Sequence, residues 1–500
     1  MLSIVALSDV NTPARWLRDN SVVRDTFLDK SSGDSPEEAC GVFGVYAPGE
    51  EVGRETYFGL YALQHRGQES AGIAVTSGDG ILVIKDMGLV SQVFDENSFV
   101  SLQGDYAIGH VRYSTTGSTF WENAQPLHGL TCRGPAAIAH NGNLVNTVQL
   151  RESLAEGGAT FTSTTDTEVI GALLNSSSAD TTAGAMAEVF PRMRGAYSLV
   201  VLTEEGLFGV RDPHGIRPLC IGRRDGGTFL ASESAALDVV GAKFLREVEP
   251  GEIVHINKDG ITSRRFAPPV RPALCIFEFI YFARPDSLLY NRVLYDARKE
   301  MGMHLAEEAP VDADIVIPVP DSGVPAAIGF AERSGIPFGE GLIKNRYIGR
   351  TFIQPSQSIR QLGVRLKLNP LTPVIAGKRL VVVDDSIVRG TTSRKIVEIL
   401  KDAGAREVHM RVSSPQIKYP CFYGIDTADR DELIASRLDV AEVRDFLGAD
   451  SLYHLSMDNL VKSCRAPKDT FCTACFEGDY RIEVPEDLRF SKFRLEKSPA

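Results

Sequence analysis

The sequence predicts two domains in series, an α+β unit of layered antiparallel sheets with helices over residues 40–270 and an α/β unit built on a parallel sheet over residues 271–500. Three observations carry this reading. Short apolar runs such as Gly72-Ile73-Ala74-Val75, Ala136-Ala137-Ile138-Ala139-His140 and Tyr197-Ser198-Leu199-Val200-Val201 recur between turn signals, with helical patterns such as Asp166 to Leu174 among them, the order of an α+β fold. A proline-rich joint, Ala267-Pro268-Pro269-Val270-Arg271-Pro272, then interrupts the pattern and reads as a linker. Beyond it, continuous apolar strands, Ile315 to Val319 and Leu380 to Val383, alternate with helices, as in a parallel sheet covered on both faces.

Residues 1–39 are polar and irregular, with Ser31-Ser32-Gly33-Asp34-Ser35-Pro36 near their end. They read as a poorly ordered leader. Met1 to Leu7 is too short and lacks the basic start of a secretory signal, and no apolar run is long enough to span a bilayer. The net charge of −12 argues against bulk affinity for nucleic acid or anionic membrane. Eight cysteines scattered over 500 residues are not a disulfide framework, so a reducing cytoplasm is the expected setting.

The most informative segment is Leu380-Val381-Val382-Val383-Asp384-Asp385-Ser386-Ile387-Val388-Arg389-Gly390-Thr391-Thr392. A buried strand runs into two adjacent carboxylates, then Gly-Thr-Thr, then a helix from Ser393 to Leu400. Unpaired N–H groups at a helix start suit phosphate. The carboxylates of Asp384 and Asp385 would repel phosphate and suit sugar hydroxyls or a hard cation such as Mg²⁺. Together they fit a phosphorylated ribose. The segment, with Ser386 inside it, resembles the phosphoribosyl pyrophosphate (PRPP) loop of type I phosphoribosyltransferases. Pro318-Val319-Pro320-Asp321-Ser322-Gly323-Val324-Pro325 resembles that family's pyrophosphate loop, and the resemblance makes Ser322 a metal-linked hydroxyl beside Asp384 and Asp385. Lys344-Asn345-Arg346-Tyr347-Ile348-Gly349-Arg350-Thr351-Phe352 reads as a basic flap that closes over PRPP and excludes water. Arg365 and Lys367 would add charge.

In the first domain, Cys40 directly follows the leader. Leu63-Gln64-His65-Arg66-Gly67-Gln68-Glu69-Ser70-Ala71-Gly72, Gly109-His110-Val111-Arg112-Tyr113-Ser114-Thr115, His140-Asn141-Gly142-Asn143-Leu144 and Thr165-Asp166-Thr167-Glu168 then follow in order. These motifs resemble the glutaminase domain of the N-terminal-nucleophile amidotransferases. If the leader is removed, Cys40 gains an α-amine with a pKa of about 7.7–8. That amine can take the proton of its own thiol, whose thiolate attacks the side-chain carbonyl of glutamine. The resemblance implies that Asn141 and the Gly142 N–H form the oxyanion hole, that Arg112 holds the α-carboxylate of glutamine and that Asp166 holds its α-ammonium.

Cys472-Thr473-Ala474-Cys475 is a C-x-x-C pair, and thiolates at this spacing can share a metal. The two domains in this order resemble the glutamine PRPP amidotransferases, and Cys275 and Cys421 match positions used in the subgroup that carries a [4Fe–4S] cluster. Zinc remains the alternative, because four thiolates alone do not separate the two. Cys132, Cys220 and Cys464 read as small buried side chains.

The family resemblance implies the making of 5-phosphoribosylamine from glutamine and PRPP, the first committed step of purine synthesis, with Mg²⁺ and one cluster per subunit. It also implies feedback inhibition by purine nucleotides and a homotetramer. Two rivals remain: another glutamine amidotransferase sharing only the first domain, such as a hexosamine synthase, and a non-catalytic PRPP-sensing regulator. The acidic loop at Asp384-Asp385 argues against the first, and the glutaminase motifs argue against the second.

Overall fold

The computed structural model describes residues 40–76, 80–113, 120–345, 368–425 and 430–485. The expected leader, most of the flap with Arg350, and Arg365 and Lys367 lie outside the described residues.

Two antiparallel sheets stack in the first part of the chain. One has seven strands in the order Lys243–Glu247, Cys220–Arg224, Gly227–Ala231, Gly41–Tyr46, Tyr106–Arg112, Ser70–Thr76, Ile81–Met87. The other has six, in the order Gly260–Arg265, Glu252–Asn257, Gly206–Arg211, Gly195–Thr203, Gly134–Leu144, Leu127–Thr131. Alternation along each strand builds three apolar layers. Val42, Ala74, Ile108, Ala139, Val200 and Leu230 meet between the sheets. Phe43 and Val45, one residue out of phase with Val42, turn outward to Leu60 of the helix Val52–Ala62. Ile138 and Leu199 face the helices Asp166–Asn175 and Thr182–Val189 on the opposite outer face. The result is a helix–sheet–sheet–helix sandwich.

The second part carries a parallel sheet in the order Ile315–Pro318, Arg379–Asp384, Glu407–Val412, Ser451–His454. Its central strand is apolar at every core position because both faces are buried. Val381 and Val383 face Met301 and Phe330 of the helices Leu294–Glu308 and Val324–Ser334. Leu380 and Val382 face Ile396 and Leu447 of the helices Thr391–Asp402 and Val440–Leu447.

The stretch after the proline-rich joint stitches the two parts together. Ala273 and Cys275 donate N–H bonds to the carbonyls of His214 (2.8 Å) and Ile216 (3.0 Å), while Leu274–Cys275 pairs in parallel with Phe471–Cys472. Val145, Ala196 and Ile216 share one apolar cluster with Phe277, Phe330 and Val381. Buried ions cross the same seam. Arg66 bridges Glu233 and Glu278, and Arg217 Nη1 lies 3.5 Å from Glu278, all four side chains fully buried. No helix among the described residues is long and apolar enough to cross a membrane.

Candidate active sites and the four-cysteine cavity

Cys40 sits at the head of the central strand Gly41–Tyr46, beside the C-terminal end of Tyr106–Arg112. Pairing of Gly41 with Val111 therefore brings Arg112 next to the thiol. Cys40, Arg112, Tyr113, Gln125, His140, Gly142, Thr165 and Asp166 line one cavity. The Cys40 Sγ donates to the Tyr113 carbonyl at 3.4 Å. Burial pushes this thiol up to about 12, against the pull of the neighbouring Arg112 charge. A thiol so placed is protonated at neutral pH and needs a base within reach.

Asn141 and Gly142 lie in the strand Gly134–Leu144, opposite Ser198 and Tyr197. Both polar atoms of the Asn141 side chain are buried without a hydrogen-bond partner among the described residues. An unpaired buried amide costs about 1–3 kcal/mol. Gly142 has φ +149° and is packed against the Ala196 backbone, where a β-carbon would collide.

Asp166 opens the helix Asp166–Asn175, where the dipole favours a negative charge. It accepts the Leu144 N–H at 3.0 Å and faces His140 Nδ1 at 3.3 Å. Burial pushes its carboxyl up, but His140, the Leu144 N–H and the Thr165 hydroxyl more than offset this, leaving it below its ordinary value. Across the cavity, Arg112 Nη1 lies 3.3 Å from Glu69. A cation and an anion thus face one chamber with the thiol, which suits an α-amino acid. Gln125 and His140 also line it, and the sequence reading assigned neither a role. Their one signal was that His140 immediately precedes Asn141.

In the second site, Asp384 ends its strand and Asp385 begins the loop, both buried. The Asp385 N–H donates to Asp384 Oδ1 at 2.9 Å, and the Ser386 hydroxyl donates to Asp385 Oδ1 at 2.6 Å. Burial pushes the Asp385 carboxyl above its ordinary value against hydrogen bonds from Ser322 and Ser386 and the charge of Arg298. Its Oδ2 has no partner among the described residues. Gly390, at φ +76°, caps the helix Thr391–Asp402, so Thr391 and Thr392 occupy the N–H-rich first turn. The Val319 N–H donates to the Val383 carbonyl at 2.8 Å, and a β-carbon on Gly323 would lie 2.5 Å from that carbonyl oxygen. The Asp321-Ser322-Gly323 loop is therefore side by side with the two aspartates. Lys344 reaches over from the strand Leu342–Lys344 and pairs with Asp321 at 2.7 Å.

Cys275, Cys421, Cys472 and Cys475 come from three separate segments to line one cavity, together with Ile216, Arg217 and Tyr423. Cys275 is directly opposite Cys472 in the parallel pair. The Cys475 carbonyl accepts the N–H groups of Lys418 (2.9 Å) and Tyr419 (3.0 Å), which draws Cys421 in. Burial pushes all four thiols up. No three His, Cys, Asp or Glu side chains among the described residues converge closely enough to hold a single ion. Of the remaining cysteines, Cys220 and Cys464 are buried as expected, while Cys132 is only half-buried.

Comparison with known proteins agrees with this arrangement. Residues 110–239 match the glutamine amidotransferase domain and residues 288–417 the phosphoribosyl transferase domain. The chain is 57% identical over 474 residues to an amidophosphoribosyltransferase of Synechocystis, covering 93% of this chain and 96% of the relative. It is 55% identical over 469 residues to that of Synechococcus elongatus, covering 93% and 95%. It superposes with TM-score 0.85 and 48% identity on the glutamine PRPP amidotransferase of B. subtilis complexed with ADP and GMP, covering 90% of this chain and 98% of that one. With identities of 55 and 57% over 93% of its length, the chain belongs to the amidophosphoribosyltransferase family.

Proposed function

We propose that the two sites run one reaction: glutamine is hydrolysed at Cys40 and its ammonia displaces pyrophosphate from C1 of PRPP, giving 5-phosphoribosylamine for purine synthesis. The chamber that brings Cys40, Arg112, Gly142 and Asp166 together carries this reading.

Removal of residues 1–39 gives Cys40 a free amine, which takes the thiol proton that burial otherwise retains. Arg112 grips the α-carboxylate of glutamine and Asp166 its α-ammonium. The thiolate attacks the amide carbon, and Asn141 Nδ2 with the Gly142 N–H stabilises the oxyanion. Collapse expels ammonia, which takes the proton back from the amine, and water then hydrolyses the thioester to glutamate. At the second site, Asp384 and Asp385 hold the ribose hydroxyls, while Gly390, Thr391 and Thr392 hold the 5′-phosphate, with Ser386 in the same PRPP-binding loop. Asp321, Ser322 and Gly323 cradle the pyrophosphate, with Lys344 and Arg350 closing over it. Ammonia attacks C1 as the C1–O bond breaks, with inversion. Asp384, Asp385 and Ser322 are the residues that would hold Mg²⁺, which neutralises the departing pyrophosphate; the unpartnered Asp385 Oδ2 fits that role. A dry path between the sites matters because ammonia in water at neutral pH becomes ammonium, which has no lone pair.

The four thiols that line one cavity would hold a [4Fe–4S] cluster, with zinc the alternative that thiolate ligands alone do not exclude. Nothing in the reaction transfers electrons, so the cluster would clamp the C-terminal segment rather than react. The division into a removed leader, a glutaminase domain to residue 270 and a transferase domain from 271 belongs to this reading. So do a homotetramer, a cytoplasmic setting and feedback inhibition by purine nucleotides, the last supported by the ADP and GMP complex of the B. subtilis relative.

The test is glutamine hydrolysis that PRPP stimulates, with pyrophosphate released in proportion. Hydrolysis indifferent to PRPP, or an active chain whose intact mass retains Ala39, overturns the corresponding part.

A further inference from the structure

The oxyanion strand is backed by the second domain, and that backing comes from the residues that immediately follow a cysteine of the four-cysteine cavity. Asn143 Nδ2 donates to the Phe422 carbonyl at 2.9 Å. Arg217 Nε and Nη2 donate to the Tyr423 carbonyl at 3.0 and 2.8 Å. Gly424, at φ +100°, approaches so closely that a β-carbon there would lie 3.1 Å from Gly142 C and 3.2 Å from Gly142 Cα. The Tyr423 N–H in turn donates to Cys421 Sγ at 3.4 Å, and the Tyr423 hydroxyl donates to the Ile482 carbonyl at 2.8 Å. Phe422 to Gly424 is therefore fixed at one end by the cysteine cavity and presses on the peptide unit of Gly142 with its other face.

From these contacts we infer that Asn143 and the Phe422–Gly424 segment are positioning elements of the glutaminase, holding the Gly142 N–H where the oxyanion forms. This deepens, and rests on, the assignment of Cys40 as nucleophile and of Asn141 and Gly142 as oxyanion donors. Gly142 has no side chain to anchor it and adopts φ +149°. Asn143 ties the next residue down from the domain side, and Gly424 blocks retreat of the Gly142 backbone. Catalysis at Cys40 then depends on a segment whose Phe422 lies 279 residues beyond Asn143. Arg217 belongs to the same clamp and also lines the cysteine cavity, with its third nitrogen toward Glu278. Displacement of Cys421 would thus reach the oxyanion donors directly.

Asn143→Ala in the full-length processed enzyme removes one tie and deletes no group that touches glutamine. The expected result is a fall in glutaminase kcat of about tenfold or more, toward the roughly 10²-fold loss that follows from misplacing a catalytic group, with KM for glutamine changed by less than about twofold. The rate at which iodoacetamide alkylates Cys40 stays at the parent value, because displacement of iodide builds no oxyanion. Synthesis from free ammonia and PRPP is also unchanged. Gly424→Ala, which pushes the same peptide instead of releasing it, gives the same pattern. A kcat within about twofold of the parent in both variants, or a parallel loss of hydrolysis, alkylation and ammonia-dependent synthesis, overturns the positioning role. Persistent hydrolysis in Cys40→Ala would overturn the assignment beneath it instead.

Discussion

Asn141→Ala separates function from stability. Its side-chain amide is buried and both polar atoms lack a partner among the described residues. If that amide exists to bind an oxyanion, its deletion costs about 2.7–4 kcal/mol in the transition state, a loss of roughly 10²–10³ in kcat. The folded chain should not suffer in step. An unsatisfied buried polar group costs about 1–3 kcal/mol, which the substitution removes, and the small void left behind costs back about 0.8 kcal/mol for each methylene-sized group. The carboxamide leaves the space of three such groups, about 2.4 kcal/mol, so the net change lies between a loss of about 1.4 and a gain of about 0.6 kcal/mol. Glutaminase turnover, ammonia-dependent phosphoribosylamine synthesis and chemical denaturation, measured on one preparation, provide the three readouts. Turnover should collapse, ammonia-dependent synthesis should hold, and the denaturation midpoint should shift little. A variant that loses more than about 1.4 kcal/mol of stability while keeping most of its hydrolysis would mean that Asn141 is a structural residue, and the oxyanion assignment would fail.

Other outcomes follow from the same reasoning. Asp385→Asn should abolish PRPP-dependent synthesis by at least about 10²-fold and leave glutamine hydrolysis unstimulated by PRPP. Burial raises the Asp385 carboxyl above its ordinary value of 3.8, so the folded state binds its proton more tightly than the unfolded one and ionisation costs stability as pH rises past that value. The ligand-free variant should therefore be no less stable than the parent at neutral pH, and a clear loss in a thermal melt would contradict this. Arg66→Met strands Glu233 and Glu278 in the seam and should cost about 3–5 kcal/mol in denaturant unfolding; a change under about 1 kcal/mol would show that the pair does not hold the seam. Burial pushes the Glu233 carboxyl up, but His65, Arg66 and the Arg284 N–H bring it far below its ordinary 4.5. Its stabilising contribution is present above that pH and is lost as pH falls through and beneath it, a slope that Arg66→Met should flatten. Cys472→Ser should eliminate bound iron and acid-labile sulfide together; stoichiometric zinc in the anaerobic parent protein would replace the cluster reading.

Much of the chemistry was legible in the chain because it is carried by contiguous residues. The run from Leu380 to Thr392 encodes its own strand, acidic turn and helix start, so the β-branched run, the carboxylates and the cap could be read without tertiary contacts. The strand runs at Gly72–Val75, Ala136–His140 and Tyr197–Val201 became Ser70–Thr76, Gly134–Leu144 and Gly195–Thr203. Their cores were right and their ends short, since pairing partners rather than propensity decide where a strand stops. The helix read as Asp166 to Leu174 runs to Asn175.

What the residues alone determined were the period-2 and buried-strand patterns and an acidic turn followed by Gly-Thr-Thr, all local in sequence. Only the folded chain decided that Arg66, Arg217, Glu233 and Glu278 form a buried ionic seam and that Phe422 leans on Asn143. A lone arginine or glutamate in a sequence reads as solvent-facing. Its burial depends on a partner up to 212 positions away for Arg66, and no local pattern encodes a partner that distant.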